Sequence, residues 1–182
     1  MHATICDLIM DLVQNSIEAK AKDIELIVRE TDEQIEFSVK DNGKGMSKEV
    51  QAKAVDPFYS DGEKHAPRRV GLGLPFLIQT AEAAGGRAVI ESKEGHGTRI
   101  GFCAKAAHID LPPLGDFSSA ATLMMSQMNN GELRIVREVG GESYTLCRSE
   151  LEDTLGNLNE TQNLTLMKTY IRLQEDNLRK AG

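Results

Sequence analysis

Hydrophobic and polar residues recur with a helical or a strand period along the first hundred residues. Residues 4–21 place apolar side chains on one stripe and polar ones on another, which predicts an amphipathic helix. Residues 24–28 and 35–39 alternate apolar and polar positions, which predicts two strands joined by a turn. Four further elements are predicted here: a helix capped by Ser47 and running through residue 55, a helix from Pro75 to just before Gly85, and strands over 88–92 and 98–104.

The last third of the chain has a different character, and we predict a boundary between residues 107 and 108. After a connector that contains prolines and a glycine, residues 118–128 predict a helix. Gly140 and Gly141 separate segments 133–139 and 143–147, which predicts a hairpin. Residues 161–180 predict a long amphipathic helix, which either packs on the rest of the chain or mediates dimerisation. Its apolar residues near heptad spacing are Leu164, Met167, Ile171 and Leu178.

Charge and cysteine content exclude several classes of protein. The 182 residues carry a formal net charge of −7, which argues against general binding of nucleic acid or of an anionic membrane. Cys6, Cys103 and Cys147 form no CxxC pair, which argues against a zinc site or a disulfide framework. The first residues lack the basic start of a signal peptide, and no apolar run approaches the ~18–20 residues of a membrane span. We therefore expect a cytoplasmic protein.

Residues 56–74 show neither period and are expected to form a loop. Loops of this length are usually functional or disordered. Lys64, His65, Arg68 and Arg69 lie close together there without an acidic neighbour. In an acidic chain, such a basic cluster is either a solvated loop or a lid whose closure screens phosphates. Which of the four would contact phosphate stays open.

Four short segments carry the candidate chemistry: residues 11–19, 41–46, 69–74 and 95–98. Each alone is compatible with an ordinary turn or helix start. Together and in this order they resemble the N, G1, G2 and G3 boxes of the GHKL superfamily, which comprises gyrase, heat-shock chaperones, histidine kinases and MutL proteins. The resemblance covers about residues 5–104. It implies an α+β fold of the Bergerat type, with helices on one face of a mixed, mainly antiparallel sheet, and it implies ATP and Mg²⁺ as ligands. A C-terminal hairpin-and-helix extension would follow.

The resemblance also implies roles for individual residues. Asn15 would be the Mg²⁺ ligand, through an amide oxygen of the kind that this ion accepts beside water and phosphate. Asp11, where gyrase-like and anti-sigma members carry glutamate, is the candidate general base, and its shorter reach predicts slow hydrolysis. Asp41 would accept a hydrogen bond from the exocyclic amine of adenine. Gly43 and Gly45 permit positive φ and a close approach of the backbone to the base.

The remaining candidate residues lie around the predicted lid and the phosphates. The glycine-rich segment before Pro75 enters a helix, where backbone N–H groups and the helix dipole attract phosphate. Residues 56–60 resemble the F box of histidine kinases, and Thr98 takes the place of the threonine or serine that lines the family's pocket. The candidate nucleotide-binding residues of this group are Met46, Phe58, Arg69, Gly71, Leu72, Gly73, Leu74 and Thr98.

Three functions are compatible with these features. The first is a stand-alone regulatory kinase-like subunit that acts on a separate partner protein. The second is a slow ATPase that drives a conformational or dimerisation cycle, and the third is a nucleotide sensor without turnover. No phosphoacceptor helix pair fits before Ile5, so we do not expect a self-contained histidine kinase.

Overall fold

The structure is a computed structural model that describes residues 4–55 and 73–181. Helices and strands follow one another along the chain as α1 (Ile5–Glu18), β1 (Asp23–Glu30), β2 (Gln34–Asp41), α2 (Lys48–Ala54), α3 (Gly73–Ala83), β3 (Arg87–Lys93), β4 (Gly97–Lys105), α4 (Phe117–Gln127), β5 (Glu132–Val139), β6 (Glu142–Cys147), α5 (Arg148–Leu155) and α6 (Thr161–Ala181). In the described part of the chain, no helix is long and apolar enough to cross a membrane.

The strands form one sheet in the order β3-β4-β2-β1-β5-β6. Among the described strands, only the β1–β5 pair is parallel, and the other four pairs are antiparallel. Because side chains alternate between the faces of a strand, the buried Leu26 and Val28 of β1 share one face, while Ile27 and Arg29 lie on the other. The helices pack on the buried face. The predicted α+β fold with a mixed, mainly antiparallel sheet is therefore confirmed.

Helix α1 forms because local and tertiary signals agree. Thr4 caps it: its hydroxyl accepts a hydrogen bond from Asp7 N, and the Asp7 carboxylate accepts one from Thr4 N. The apolar stripe of the helix is buried in the core, with Ile5, Ile9 and Leu12 at most 1% exposed. Burying such a side chain contributes about 1.5–3 kcal/mol. The opposite, polar face of α1 stays accessible.

The C-terminal hairpin extends the same sheet. Strand β5 lies parallel to β1, with Leu26 beside Ile135 and Val28 beside Arg137. Helix α4 provides the crossover between β4 and β5, and its Met124 and Met125 are fully buried. Helix α6 packs against α4, β5 and β6 of the same chain. The described residues from 108 onward thus share one sheet and one core with those before 108.

The largest differences from the pattern-based expectation are two helix boundaries and one whole helix. Helix α1 ends at Glu18, and Lys20 adopts a positive φ of 63°. Helix α3 begins at Gly73, two residues before Pro75. Helix α5 was not predicted, because its sequence carries little apolar periodicity. The Glu132 carboxylate on β5 accepts hydrogen bonds from the first N–H groups of α5, including that of Arg148 at 2.6 Å. This cap depends on a residue from another element, so the local sequence pattern does not reveal it.

Candidate nucleotide-binding site

The polar face of α1 lies beside the first residue of α3. A β-carbon added to Gly73 would lie 3.8 Å from Asp11 Oδ2 and 3.9 Å from Asn15 Nδ2. Asp11 and Asn15 are one helical turn apart and both exposed. The N-terminus of a helix attracts anions through its N–H groups and its dipole. Helix α3 therefore brings a site suited to phosphate next to a carboxylate and an amide.

Asp41, the last residue of β2, is buried but hydrogen-bonded. The whole residue is only 8% exposed. Ser16 Oγ donates to Asp41 Oδ2 at 2.7 Å, and Gly43 N donates to Asp41 Oδ1 at 2.8 Å. Both neighbours that hold the carboxylate are donors, and a carboxylate oxygen has a second lone pair to offer. Asp41 is thus held as an acceptor at the end of the sheet.

The glycines that follow Asp41 are required by close approaches of backbone. A β-carbon on Gly43 would lie 2.9 Å from Ala19 O, and one on Gly45 would lie 2.0 Å from Lys93 O. Gly45 has a positive φ of 62°, whereas Gly43 does not fall in that region. Of the two glycines, Gly45 uses the positive φ that glycine permits, and Gly43 does not. Its missing side chain instead lets the loop pack onto the end of α1.

Ser92 links the side chain of Thr98 to the backbone of Met46. Thr98 pairs with Asp41 in the β2–β4 ladder and with Ser92 in the β3–β4 ladder. Ser92 Oγ accepts a hydrogen bond from Met46 N at 2.8 Å and lies 2.9 Å from Thr98 Oγ1. A β-carbon on Gly97 would lie 1.9 Å from Asp41 O. These contacts hold the loop after β2 and the β3–β4 turn as one unit.

Pattern analysis missed three residues that shape this region. Ser16 directs Asp41, and Ser92 joins Met46 to Thr98. Asn42 is the third: its Oδ1 accepts from the backbone N–H groups of Lys22 and Asp23 at 2.8 and 3.0 Å. A polar residue inside an apolar stripe, as Ser16 is in α1, was the available signal. Serine partners of Asp41 and Met46 could not be identified without the fold.

The other predicted site residues divide into two groups. Leu74 is 9% exposed and packs into the core, so only its backbone is available at the start of α3. Phe58, Arg69, Gly71 and Leu72 lie outside the described residues, as do Lys64, His65 and Arg68.

The sequence that contains this site is similar to a known protein family. The model of the family "Histidine kinase-, DNA gyrase B-, and HSP90-like ATPase" matches residues 3–108. Sporulation kinase C of Bacillus subtilis is 34% identical over 91 residues, which are 49% of this chain and 20% of that protein. Sensor histidine kinase AruS of Pseudomonas aeruginosa is 26% identical over 141 residues, which cover 68% of this chain and 14% of that protein.

A solved structure extends the similarity beyond residue 108. The N-terminal domain of a DNA repair protein superposes with a TM-score of 0.56 at 14% identity, over 90% of this chain and 59% of that one. At this identity the likeness concerns the fold. The chain spans a fifth or less of the length of the two curated relatives, at 20% and 14%.

Proposed function

The chain belongs to the histidine kinase-, DNA gyrase B- and HSP90-like ATPase family, and from this membership we propose that it binds ATP with Mg²⁺ and acts as a regulatory kinase subunit toward a separate partner protein. The observation that carries the proposal is Asp41. A buried carboxylate whose two fixed neighbours, Ser16 and Gly43, both donate is suited to accept one more hydrogen bond from the exocyclic amine of adenine. Guanine carries a carbonyl at the corresponding position, so its oxygen would face the Asp41 carboxylate and two acceptors would be placed together.

The start of α3 supports the proposed position of the phosphates. Gly73 carries no side chain where Asp11 and Asn15 approach it, and the helix N-terminus supplies N–H donors. The amide oxygen of Asn15 suits Mg²⁺, which takes few protein ligands when it is bound together with phosphates. When bound, the ion would neutralise phosphate charge. Asn15 would hold it, and Asp11 would orient the attacking group.

Kinase activity is proposed ahead of the alternatives for two reasons. Two relatives in different bacteria carry the name kinase, and residues 56–60 resemble the F box of histidine kinases. Transfer would break the bond between the γ-phosphorus and the bridging oxygen, release ADP, and attach the phosphoryl group to a side chain of the partner.

A slow ATPase is the second candidate, and Asp11 favours it. Its Oδ2 lies near Gly73, where a carboxylate can accept the proton of an attacking water. Aspartate is one methylene shorter than glutamate, and a displacement on the ångström scale can cost about 10²-fold in rate. A sensor that binds ATP without turnover would follow if that geometry does not support attack.

One experiment distinguishes the three functions. The protein is incubated with Mg²⁺ and γ-labelled ATP, and both free phosphate and labelled protein are followed. The Asp11→Asn variant is compared with Asp32→Asn, which removes the same charge from the β1–β2 turn. Phosphate release that Asp11→Asn alone abolishes supports an ATPase. ATP binding without phosphate release is compatible with both the kinase and the sensor. Labelling of an added partner protein then supports the kinase. Absence of ATP binding refutes all three.

A further inference from the structure

Ser16 is a buried serine near the end of α1, and its hydroxyl has two possible acceptors. The residue is 4% exposed. Its Oγ lies 3.2 Å from Leu12 O, the carbonyl one turn earlier in the helix, and 2.7 Å from Asp41 Oδ2 on β2. A serine inside a helix commonly donates to the carbonyl four residues before it. Since a hydroxyl carries one proton, the shorter contact and the charge of the carboxylate direct that proton to Asp41.

This hydrogen bond fixes the orientation of the Asp41 carboxylate. Gly43 N donates to Oδ1 at 2.8 Å, and Ser16 Oγ donates to Oδ2 at 2.7 Å. The torsion that turns a carboxylate about its bond to the β-carbon is broad in aspartate, so it has no strong preference of its own. A donor on each oxygen restricts that torsion, whereas Gly43 alone would leave Oδ2 without a fixed direction. Ser16 is therefore the residue that holds Oδ2 in place.

Ser16 also connects the two ends of the candidate site. Asn15, the preceding residue of α1, is exposed and lies beside Gly73 at the start of α3. Consecutive residues of a helix point about 100° apart, so Asn15 lies toward the proposed position of the phosphates while Ser16 contacts Asp41. One helical turn thus sets the distance between the carboxylate that is proposed to bind the base and the amide that is proposed to hold Mg²⁺.

We propose that Ser16 is a positioning residue that determines the selectivity of the site for a purine with a 6-amino group. The inference rests on the proposed function, since it requires that Asp41 accepts a hydrogen bond from the exocyclic amine of adenine. Ser16 acts through Asp41: its hydroxyl holds Oδ2 in one direction, and a carboxylate that turns away loses part of its bond to the amine. The contribution of Ser16 to affinity is therefore confined to nucleotides that carry this amine.

The test compares two nucleotides on the same protein. ATP and the triphosphate of purine riboside differ only in the 6-amino group, so the ratio of their Kd values measures how strongly the protein recognises that amine. Calorimetry with Mg²⁺ gives this ratio for the full chain and for Ser16→Ala. In the variant, the Kd for ATP is expected to rise about tenfold, and the Kd for the purine riboside triphosphate by at most about twofold. A serine that only stabilised the helix would change both affinities alike.

Ser118→Ala is the matched control. Ser118 is 6% exposed in α4, and its Oγ donates to Asp116 Oδ1 at 2.7 Å, so this variant also removes a bond of that length from a buried serine to a carboxylate. The start of α4 lies near the start of α1, since a β-carbon on Gly115 would lie 2.8 Å from Thr4 Cβ. Thr4 is about 18 Å from Ser16 along the helix at 1.5 Å per residue. Ser118→Ala should leave both Kd values within about twofold of the wild type.

The outcomes separate this inference from the function on which it rests. A wild-type protein that does not bind ATP, or that binds both triphosphates equally, refutes recognition of adenine by Asp41 and with it the role of Ser16. Discrimination that Ser16→Ala retains, or an equal loss of affinity for both nucleotides, overturns the role of Ser16 alone. Thermal circular dichroism verifies folding. If Ser16→Ala does not fold, Ser16→Cys, which keeps a weaker donor, is measured instead, and undiminished discrimination again overturns the proposal.

Discussion

Replacing Asp41 with asparagine separates the role of its carboxylate in the fold from its role toward a ligand. Asparagine keeps the shape of the side chain, and its amide oxygen can still accept from Gly43 N, which lies 2.8 Å from Asp41 Oδ1. Its NH₂ group would then face Ser16 Oγ. That hydroxyl also lies 3.2 Å from Leu12 O, so it can turn to donate there and accept from the new amide.

The expected loss of stability is therefore small. Two hydrogen bonds to a charged acceptor, worth about 1.5–3 kcal/mol each, become neutral ones worth about 0.5–1.5 kcal/mol. Unfolding free energy should fall by about 1–3 kcal/mol, and Tm by roughly 2–10 °C for a chain of this size.

The expected loss of ATP affinity is much larger. Asparagine would present an N–H donor to the amine of adenine, where Asp41 presents an acceptor. Losing a bond to a charged acceptor costs about 1.5–3 kcal/mol, and leaving a buried donor unsatisfied costs about 1–3 kcal/mol. The sum of about 2.5–6 kcal/mol corresponds to a Kd that is roughly 10²–10⁴-fold weaker.

Isothermal titration calorimetry with ATP and Mg²⁺ measures the affinity, and thermal circular dichroism measures the stability. Asp32→Asn in the β1–β2 turn is the control, since it removes one carboxylate far from the site. If folded Asp41→Asn binds ATP within about twofold of the wild type, Asp41 does not read the base and the site assignment fails. Equal loss of stability and affinity would mean that the change acts through the fold.

Three further predictions concern the stability of the fold, and urea denaturation checks each. Gly97→Ala should cost at least about 3 kcal/mol, because Gly97 has φ of 95° and a β-carbon would lie 1.9 Å from a carbonyl oxygen. Arg137→Met should cost about 3–5 kcal/mol, because Arg137 is fully buried and its loss leaves Glu175 without its cation. Burial raises the pKa of the Cys6 thiol to about 12, so the unfolded chain loses this proton first. Unfolding free energy should therefore hold below pH 9 and fall as the pH rises toward 12, and Cys6→Ala should reduce that slope.

Matched substitutions isolate the cause in each case. Gly141 has φ of 94° with no atom within 4 Å of an added β-carbon, so Gly141→Ala should show only the backbone cost of about 1–2 kcal/mol. Arg29 is 52% exposed in its ion pair with Glu138, so Arg29→Met should change stability by at most about 1 kcal/mol. If each control loses as much as its test variant, the clash at Gly97 or the buried charge at Arg137 is not the cause.

The buried cluster around Arg137 shows why part of the fold escaped the sequence patterns. Arg137 contacts the carboxylates of Glu30 and Glu175 and lies 5.3 Å from the Phe117 ring centre. Tyr144 OH donates to Glu175 at 2.6 Å, and burial raises the pKa of that tyrosine far above its usual range. In the sequence, Arg137 and Glu175 are ordinary surface residues of a strand and a helix. They become core residues only because β5, β6, α4 and α6 meet there.

The candidate site divides in the same way. Asp11, Asn15 and Asp41 could be selected from order and spacing, since each lies in a short motif with its own local chemistry. Ser16 could not, because its partner Asp41 is 25 residues away. Roles in catalysis and in Mg²⁺ binding remain predictions for Asp11 and Asn15.

The sequence by itself determined the elements whose signals are local: the capped amphipathic α1, the alternating strands, the Gly140-Gly141 hairpin, and the order of the four motifs. Tertiary structure decided which elements meet. The parallel pairing of β5 with β1 joins the last third to the same sheet, and the Glu132 carboxylate caps α5. Periodicity and capping act over a few residues, whereas strand pairing and buried charge contacts join residues that are far apart in the chain, and only burial in a shared core makes those contacts favourable.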